Sequence, residues 1–182
     1  ELSVISNIAL DHAEFLGPRL ADIAGEKAGI IKRGRPCVTA ARQAPVLEVL
    51  EATCRRRRAP LLRVGREIRI RSNRDGSLDC TGPGLAVRGL SLALLGPYQR
   101  ENAACVFGAI GVLRERGLDI GDEAVRKGLA RVRWEGRMEV VRRRPTVLLD
   151  GAHNPAGAAA LAKALGEFEY RRLTLVLGML AD

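Results

Sequence analysis

Short apolar runs alternate with segments of helical period along most of this chain, and that alternation narrows its fold more than any other feature. Residues 2–8 and 36–39 read as strands. Between them, residues 18–31 place Leu20, Ile23, Ala24, Ala28 and Ile31 at helical spacing, with Pro18 suited to a first turn. Residues 44–54 form a second amphipathic helix, closed by arginines 55–58 where cations suit the C-terminal dipole. Residues 61–95 hold short strands around Asn73-Arg74-Asp75-Gly76, a hairpin turn. Residues 98–113 and 122–132 are further helices, the first stopped by Gly117. Strands follow at 137–141 and 146–149; then Asn154 caps a helix that has Pro155 in its first turn and an alanine-rich body. Residues 173–177 are a last strand. The order predicts an α/β fold with a largely parallel sheet. One strand–helix–strand unit after Pro145 cannot bury its own sheet faces, so a chain extending past both ends is expected.

Composition removes several classes. At 182 residues and 47% hydrophobic, the chain can build one ordinary core and part of a second domain. No run of 18 apolar residues occurs, so no membrane span is expected, nor does a basic–apolar–small leader open the chain. Cys37, Cys54, Cys80 and Cys105 form no CxxC pair, and with two histidines a structural zinc site is not expected. Scattered single thiols fit a reducing cytoplasm. The formal charge of +9 raises a basic nucleic-acid-binding module as a competing class. Against it, only four of the 30 basic residues are lysine, and aromatics amount to 3%, too few for base-stacking platforms. The runs at 55–58 and 142–144 then read as a solvated helix end and a linker.

Three clusters carry possible chemistry, each after a strand end, where open α/β sheets gather ligands. The first runs from Asn7 to Lys32 as NIALDHAEFLGPRLADIAGEKAGIIK. His12 there is a ligand or a capped loop histidine. Lys27 shares a helix with apolar Ile23, Ala28 and Ile31, and is either functional or a snorkelling side chain on a solvated face. The second, Leu95-Gly96-Pro97-Tyr98-Gln99-Arg100-Glu101-Asn102-Ala103-Ala104-Cys105, feeds Gln99 and Asn102 into the first turns of a helix. Asn102 can read a base edge or phosphate, or satisfy a neighbouring loop. The third joins Trp134-Glu135-Gly136-Arg137-Met138-Glu139 to Leu149-Asp150-Gly151-Ala152-His153-Asn154-Pro155. A carboxylate that ends a strand before a helix N-terminus, as Asp150 does, can hold a ribose or phosphate group, or cap its own turn.

In this order and spacing the clusters resemble the folylpolyglutamate synthase / dihydrofolate synthase family of Mur-type ligases. They are similar to that family's LDH…LG…IA.EKAGI.K, L.G.yQ..NA and GR.E…DGAHNP segments. The likeness covers essentially the whole chain, least distinctively at 55–95. It implies the later part of a Mur-type central ATPase domain in residues 1–135 and the start of a Rossmann-like C-terminal domain in 136–182. It also implies an ATP- and magnesium (Mg2+)-dependent enzyme, monomeric when intact, that joins L-glutamate to dihydropteroate or folate through an acyl phosphate. By the same resemblance His12 is a magnesium ligand with Asp11 orienting it. Lys27, fifteen residues on, is a carbamylated lysine that organises the metal. Asn102, Arg137 and Asp150 contact ATP. A carbamate would replace an ammonium that repels magnesium by oxygen ligands suited to a hard cation, and burial of Lys27 against apolar neighbours would favour the neutral amine that carbamylation needs.

The departures are specific. No GxxxxGK[ST] phosphate loop occurs in the chain, and the family's serine and glutamate magnesium ligands would lie upstream, so this chain alone is expected to be inactive. Arg19 stands where the family often has threonine, and Glu135 where proline is common. A cell-wall Mur peptide ligase shares the chemistry but not the EKAGI and DGAHNP wording. A non-catalytic relative is opposed by the intact His12, Lys27, Asn102, Arg137 and Asp150.

Overall fold

The computed structural model describes residues 1–10 and 16–178. Three parallel strands, β1 (Ser3–Ile5), β2 (Cys37–Thr39) and β3 (Leu61–Arg63), pair in the order β1-β2-β3. Helices α1 (Leu20–Ala28) and α2 (Ala44–Arg57) make the crossovers between them. Both pack on one face of this sheet, in a core that includes Ile5, Ile23, Ala28, Cys37, Val46, Leu50 and Cys54. Because successive strand residues point to opposite faces, Val38 joins a separate core on the other side with Ile68, Ala104 and Cys105.

That other side is covered by α3 (Pro97–Glu115), the longest helix among the described residues. One face of α3 meets the parallel sheet through Ala104 and Cys105; the other packs Ala103 and Phe107 onto an antiparallel sheet. This second sheet is β4 (Arg69–Ser72), β5 (Leu78–Gly82) and β6 (Leu85–Leu90). The Asn73–Gly76 stretch turns β4 into β5 as predicted, with Asn73 N donating to Ser77 O at 2.8 Å. Helix α4 (Asp122–Arg131) contributes Val125 and Leu129 to the same core.

Close approach of backbones seats α3. Gly84 (φ +66°) follows Pro83 in the turn between β5 and β6, and a Cβ on it would lie 2.7 Å from Gly111 O. Reciprocally, a Cβ on Gly111 would strike Pro83 O. Two glycines face each other here because neither backbone leaves room for a side chain.

The last part departs most from expectation. Strands β7 (Glu139–Arg143) and β8 (Thr146–Leu149) pair antiparallel with each other, followed by α5 (Pro155–Leu165). Asn154 caps α5 as expected, its Oδ1 accepting from Gly157 N at 2.7 Å. The sheet content is therefore not largely parallel: parallel pairing is confined to β1–β3, and the short links at 73–77, 83–84 and 144–145 allow only antiparallel neighbours. Arg142 and Arg143 are not linker residues but the end of β7. The arginine run at 55–58 is a helix end as expected: α2 runs through Arg57, with Arg55, Arg56 and Arg57 in its last turn. Pro18 precedes α1 instead of opening it; Arg19 is the N-cap, held by Asp22 through Arg19 Nη2 to Oδ1 at 2.8 Å. Residues 173–177 form no strand: among the described residues no partner strand lies beside them, and Val176 is 92% exposed. An unpaired strand leaves its backbone groups to water.

Candidate nucleotide cleft

The first turns of α3 are set by Leu95-Gly96-Pro97. Gly96 takes φ +97°, which favours glycine, and a Cβ there would lie 2.9 Å from Tyr98 Cε1 and 3.3 Å from Ala164 Cβ. The missing side chain thus lets α5 come up against the start of α3. Pro97 fits the first helical position because it needs no amide partner there. From this start Tyr98, Gln99 and Asn102 project together. Gln99 is 6% exposed, and its Oε1 accepts from Asn102 Nδ2 at 3.0 Å. That bond fixes the orientation of the exposed Asn102 amide and leaves its Oδ1 and second N–H available to a ligand.

Opposite stands the turn-rich segment around Gly136. Gly151 N donates to Gly136 O at 2.7 Å, and Gly136 N donates to Glu139 Oε2 at 2.9 Å. Asp150 locks the arrangement. Its Oδ1 accepts from Ala152 N at 2.9 Å and its Oδ2 from Met138 N at 3.0 Å. Asp150 therefore does cap its own turn, and ties the β8–α5 connection to the residue that follows Arg137. A third donor reaches it from α3: the Tyr98 hydroxyl, 3.5 Å from Asp150 Oδ2. Partial burial, and then the Asp150 carboxylate, push the Tyr98 hydroxyl above its ordinary pKa, while the Arg137 charge pulls the other way. His153 Nδ1 lies 2.9 Å from Gly151 O in the same connection.

Tyr98, Gln99, Asn102 and Arg137 border one cleft of about 820 Å3, which α4 lines from another side through Ala124, Val125, Gly128 and Leu129. Its walls are mostly apolar, with Val4 of β1, Val106 of α3 and Trp134 among them; its polar groups are Ser6, Tyr98, Gln99, Asn102 and Arg137. An amide and a guanidinium at an apolar-walled cleft, with a carboxylate close behind its rim, can hold a ligand that combines a flat polar ring and anionic groups. Asn102 and Arg137 line it directly, and Asp150 lies behind Tyr98, 3.5 Å from its hydroxyl. Two of the three residues thus share one cleft, and the third stands beside it.

Of the other two predicted positions, one is described by the structure, and it does not join them. His12, with Asp11, lies outside the described residues. Lys27 is exposed and is not among the residues lining the cleft. It follows Ile23 by four residues, on the same side of α1, yet its stem leaves the buried stripe of Ile23, Ala24 and Ala28 and carries the ammonium to solvent. The expected burial of Lys27 is not found. The missed residue is Tyr98, whose contact is made with a residue 52 positions away. Among the described residues no cluster of three or more His, Cys, Asp or Glu could hold a metal, and no helix is long and apolar enough to cross a membrane.

Residues 136–182 match the family model described as Mur ligase, glutamate ligase domain. The whole chain is 35% identical to the dihydrofolate synthase/folylpolyglutamate synthase of Bacillus subtilis, covering 100% of this chain and 44% of that protein. It is 42% identical to the protein of the same name from Mycobacterium tuberculosis, covering 100% of this chain and 40% of the relative. In fold it matches the apo form of L. casei FPGS with a TM-score of 0.83 at 31% identity, over 93% of this chain and 43% of that one. E. coli FolC in complex with DHPP and ADP gives a TM-score of 0.82 at 29% identity, over 94% of this chain and 39% of that one. The chain thus spans less than half the length of the relatives it matches. By its sequence along the full length and by its fold, it belongs to the folylpolyglutamate synthase / dihydrofolate synthase family of Mur-type ligases.

Proposed function

We propose that this chain is the nucleotide-gripping part of an ATP-dependent ligase that joins L-glutamate to the carboxylate of dihydropteroate or of a folate polyglutamate. The observation that carries the reading is that Asn102 and Arg137, from two motifs distant in sequence, line one cleft, with Asp150 beside it in contact with the lining residue Tyr98. Relatives with this fold include an FPGS complex with AMPPCP and folate and E. coli FolC with DHPP and ADP. In this reading residues 1–135 are the later part of the central ATPase domain and form most of the cleft, and 136–182 are the start of the C-terminal domain, which contributes Arg137 to it.

The roles follow from chemistry. Asn102, oriented by Gln99, reads the edge of the base. Asp150, held by backbone donors, accepts from ribose hydroxyls. Arg137 pairs with a phosphate oxygen, where a planar fork suits two parallel bonds. Transfer of the γ-phosphoryl group to a carboxylate gives an acyl phosphate, which the glutamate amine attacks as phosphate leaves. Two anions must meet in that step, so positive charge aimed at the phosphates lowers the barrier. Magnesium would supply such charge when bound. His12 and a carbamylated Lys27 are the proposed ligands, a histidine nitrogen and carbamate oxygens offered to the cation. With no phosphate loop in its sequence, the 182-residue chain alone is expected not to turn over.

The test uses the full-length protein that contains this chain. Dihydropteroate or a reduced folate, with glutamate and ATP, should drive phosphate release, and UDP-sugar peptides should not. Asn102→Ala and Arg137→Ala should each raise the KM for ATP about tenfold or more, as expected for a lost charged or bidentate contact, with the KM for the pterin substrate unchanged. Turnover driven by UDP-sugar peptides alone would overturn the substrate assignment; unchanged ATP kinetics in both variants would overturn the site.

A further inference from the structure

Asp150 is gripped from three sides, and one of them belongs to another part of the chain. Met138 N and Ala152 N are local donors, within twelve residues of the carboxylate. The Tyr98 hydroxyl comes from α3, the helix that also carries Asn102. Two further contacts fasten the same helix start to the same later segment. Gly96 lets Ala164 approach, leaving 3.3 Å to a Cβ that is absent, and Arg100 Nη2 bonds Glu167 Oε1 at 3.0 Å. The Arg100–Glu167 pair is exposed at both ends and adds little. The Tyr98 phenol is half-buried beside the cleft and meets a carboxylate, so it is the contact with directional content.

We infer that Tyr98 is a positioning residue for the nucleotide: its hydroxyl, 3.5 Å from Asp150 Oδ2, holds the Asp150 carboxylate beside the cleft and in register with Asn102, so that the two residues can act on one ligand. The inference rests on the nucleotide site proposed above. Without the Tyr98 bond the local donors still keep Asp150 in its turn. What is weakened is the relation between that turn and α3, which then rests on the Gly96–Ala164 packing and the exposed Arg100–Glu167 pair. Asn102 and Arg137 must then be brought to their spacing at each binding event, which costs affinity without touching the reacting groups. Burial and the neighbouring carboxylate keep the hydroxyl protonated above its ordinary range, so it remains a donor under neutral and mildly alkaline conditions.

The test is Tyr98→Phe in the full-length protein, which keeps the ring against Gly96 and removes one oxygen. The KM and the directly measured Kd for ATP should rise about fivefold to tenfold, the weight of one hydrogen bond. The kcat, the KM for the pterin acid and the Tm should stay near wild type. A double-mutant cycle with Asp150→Ala adds a second readout: Tyr98→Phe should have little further effect once Asp150 is gone. Unchanged ATP affinity in Tyr98→Phe, when Asn102→Ala and Arg137→Ala weaken it, overturns the role of Tyr98 alone. A fall in Tm with unchanged ATP affinity assigns Tyr98 to packing and also overturns it. If Asn102→Ala and Arg137→Ala leave ATP affinity intact, the site and this inference fall together.

Discussion

Gly111→Ala and Gly128→Ala make the same chemical change in two helices and should move stability in opposite directions. In α4, Gly128 is exposed and a Cβ built on it meets nothing within 4 Å. Alanine there restricts the unfolded chain and favours the helix, a gain of about 0.5–1 kcal/mol. In α3, the same gain is set against a collision of the new Cβ with the Pro83 carbonyl oxygen. That oxygen is backbone, in a turn whose other residue, Gly84, is also close, with 2.7 Å from a built Cβ to Gly111 O. No rotamer change relieves the clash. Helix and turn must separate by about 1.5 Å to restore an ordinary contact distance, opening the core around Leu85 and Phe107. Overpacking of this kind costs about 1–3 kcal/mol, which outweighs the helix propensity and leaves a net loss of about 1–2 kcal/mol. Thermal unfolding followed by circular dichroism should show a Tm for Gly111→Ala lower by several degrees and for Gly128→Ala higher by about 2 °C. A Gly111→Ala protein as stable as wild type would refute the account of how α3 is seated.

Lys27→Arg separates two roles in the full-length enzyme. As a carbamate, Lys27 cannot be replaced by arginine, so Lys27→Arg should be as inactive as Lys27→Ala, and added acetate or formate should partly restore Lys27→Ala; an active Lys27→Arg enzyme would falsify the carbamate role. Asp79 supplies a pH test. The Gly89 amide, then Asn73 Nδ2, then Arg71 hold its pKa down to about 2 from 3.8, with Asn73 Nδ2 at 2.9 Å. A depressed carboxylate gives stability that is full above the unfolded value and lost as pH falls through the folded one. Wild type should therefore lose Tm between about pH 4 and pH 2 more steeply than Asp79→Asn; parallel curves would count against the assignment.

What the sequence disclosed followed how local the signal was. The Asn154 cap, the Gly117 stop and the Asn73–Gly76 turn depend on neighbours in the chain, and all three were legible. Strand pairing was not, because a run such as residues 146–149 has the same apolar pattern whether its partner is parallel and distant or antiparallel and two residues away. Residues 173–177 carry a strand composition, but a strand exists only with a partner. Lys27 shows the limit of helical periodicity. Its position lies on the buried side of α1, yet a long side chain can leave the stripe its backbone belongs to. The residues proposed for ATP were named by resemblance, and the meeting of Asn102 and Arg137 at one cleft depends on a fold that no single motif reveals. Tyr98 had no signal beyond being aromatic near a turn.

The two buried faces of α3 have a dynamic consequence. A helix covered on one side only can lift away by local opening, but α3 cannot rise from either sheet without opening both the Val38–Ile68–Ala104 core and the Phe107 core. Its amides should therefore exchange with solvent hydrogen only through large-scale unfolding. Beyond the cleft, Arg142, Arg143, Thr146, Val147 and Leu149 of the β7–β8 hairpin are exposed, and their amides should exchange through small openings. Arg137, which lines the cleft, stands on the segment that leads into this hairpin. A ligand seated in the cleft loses little entropy against α3, and draws most of its slowing of exchange from the segment that carries Arg137.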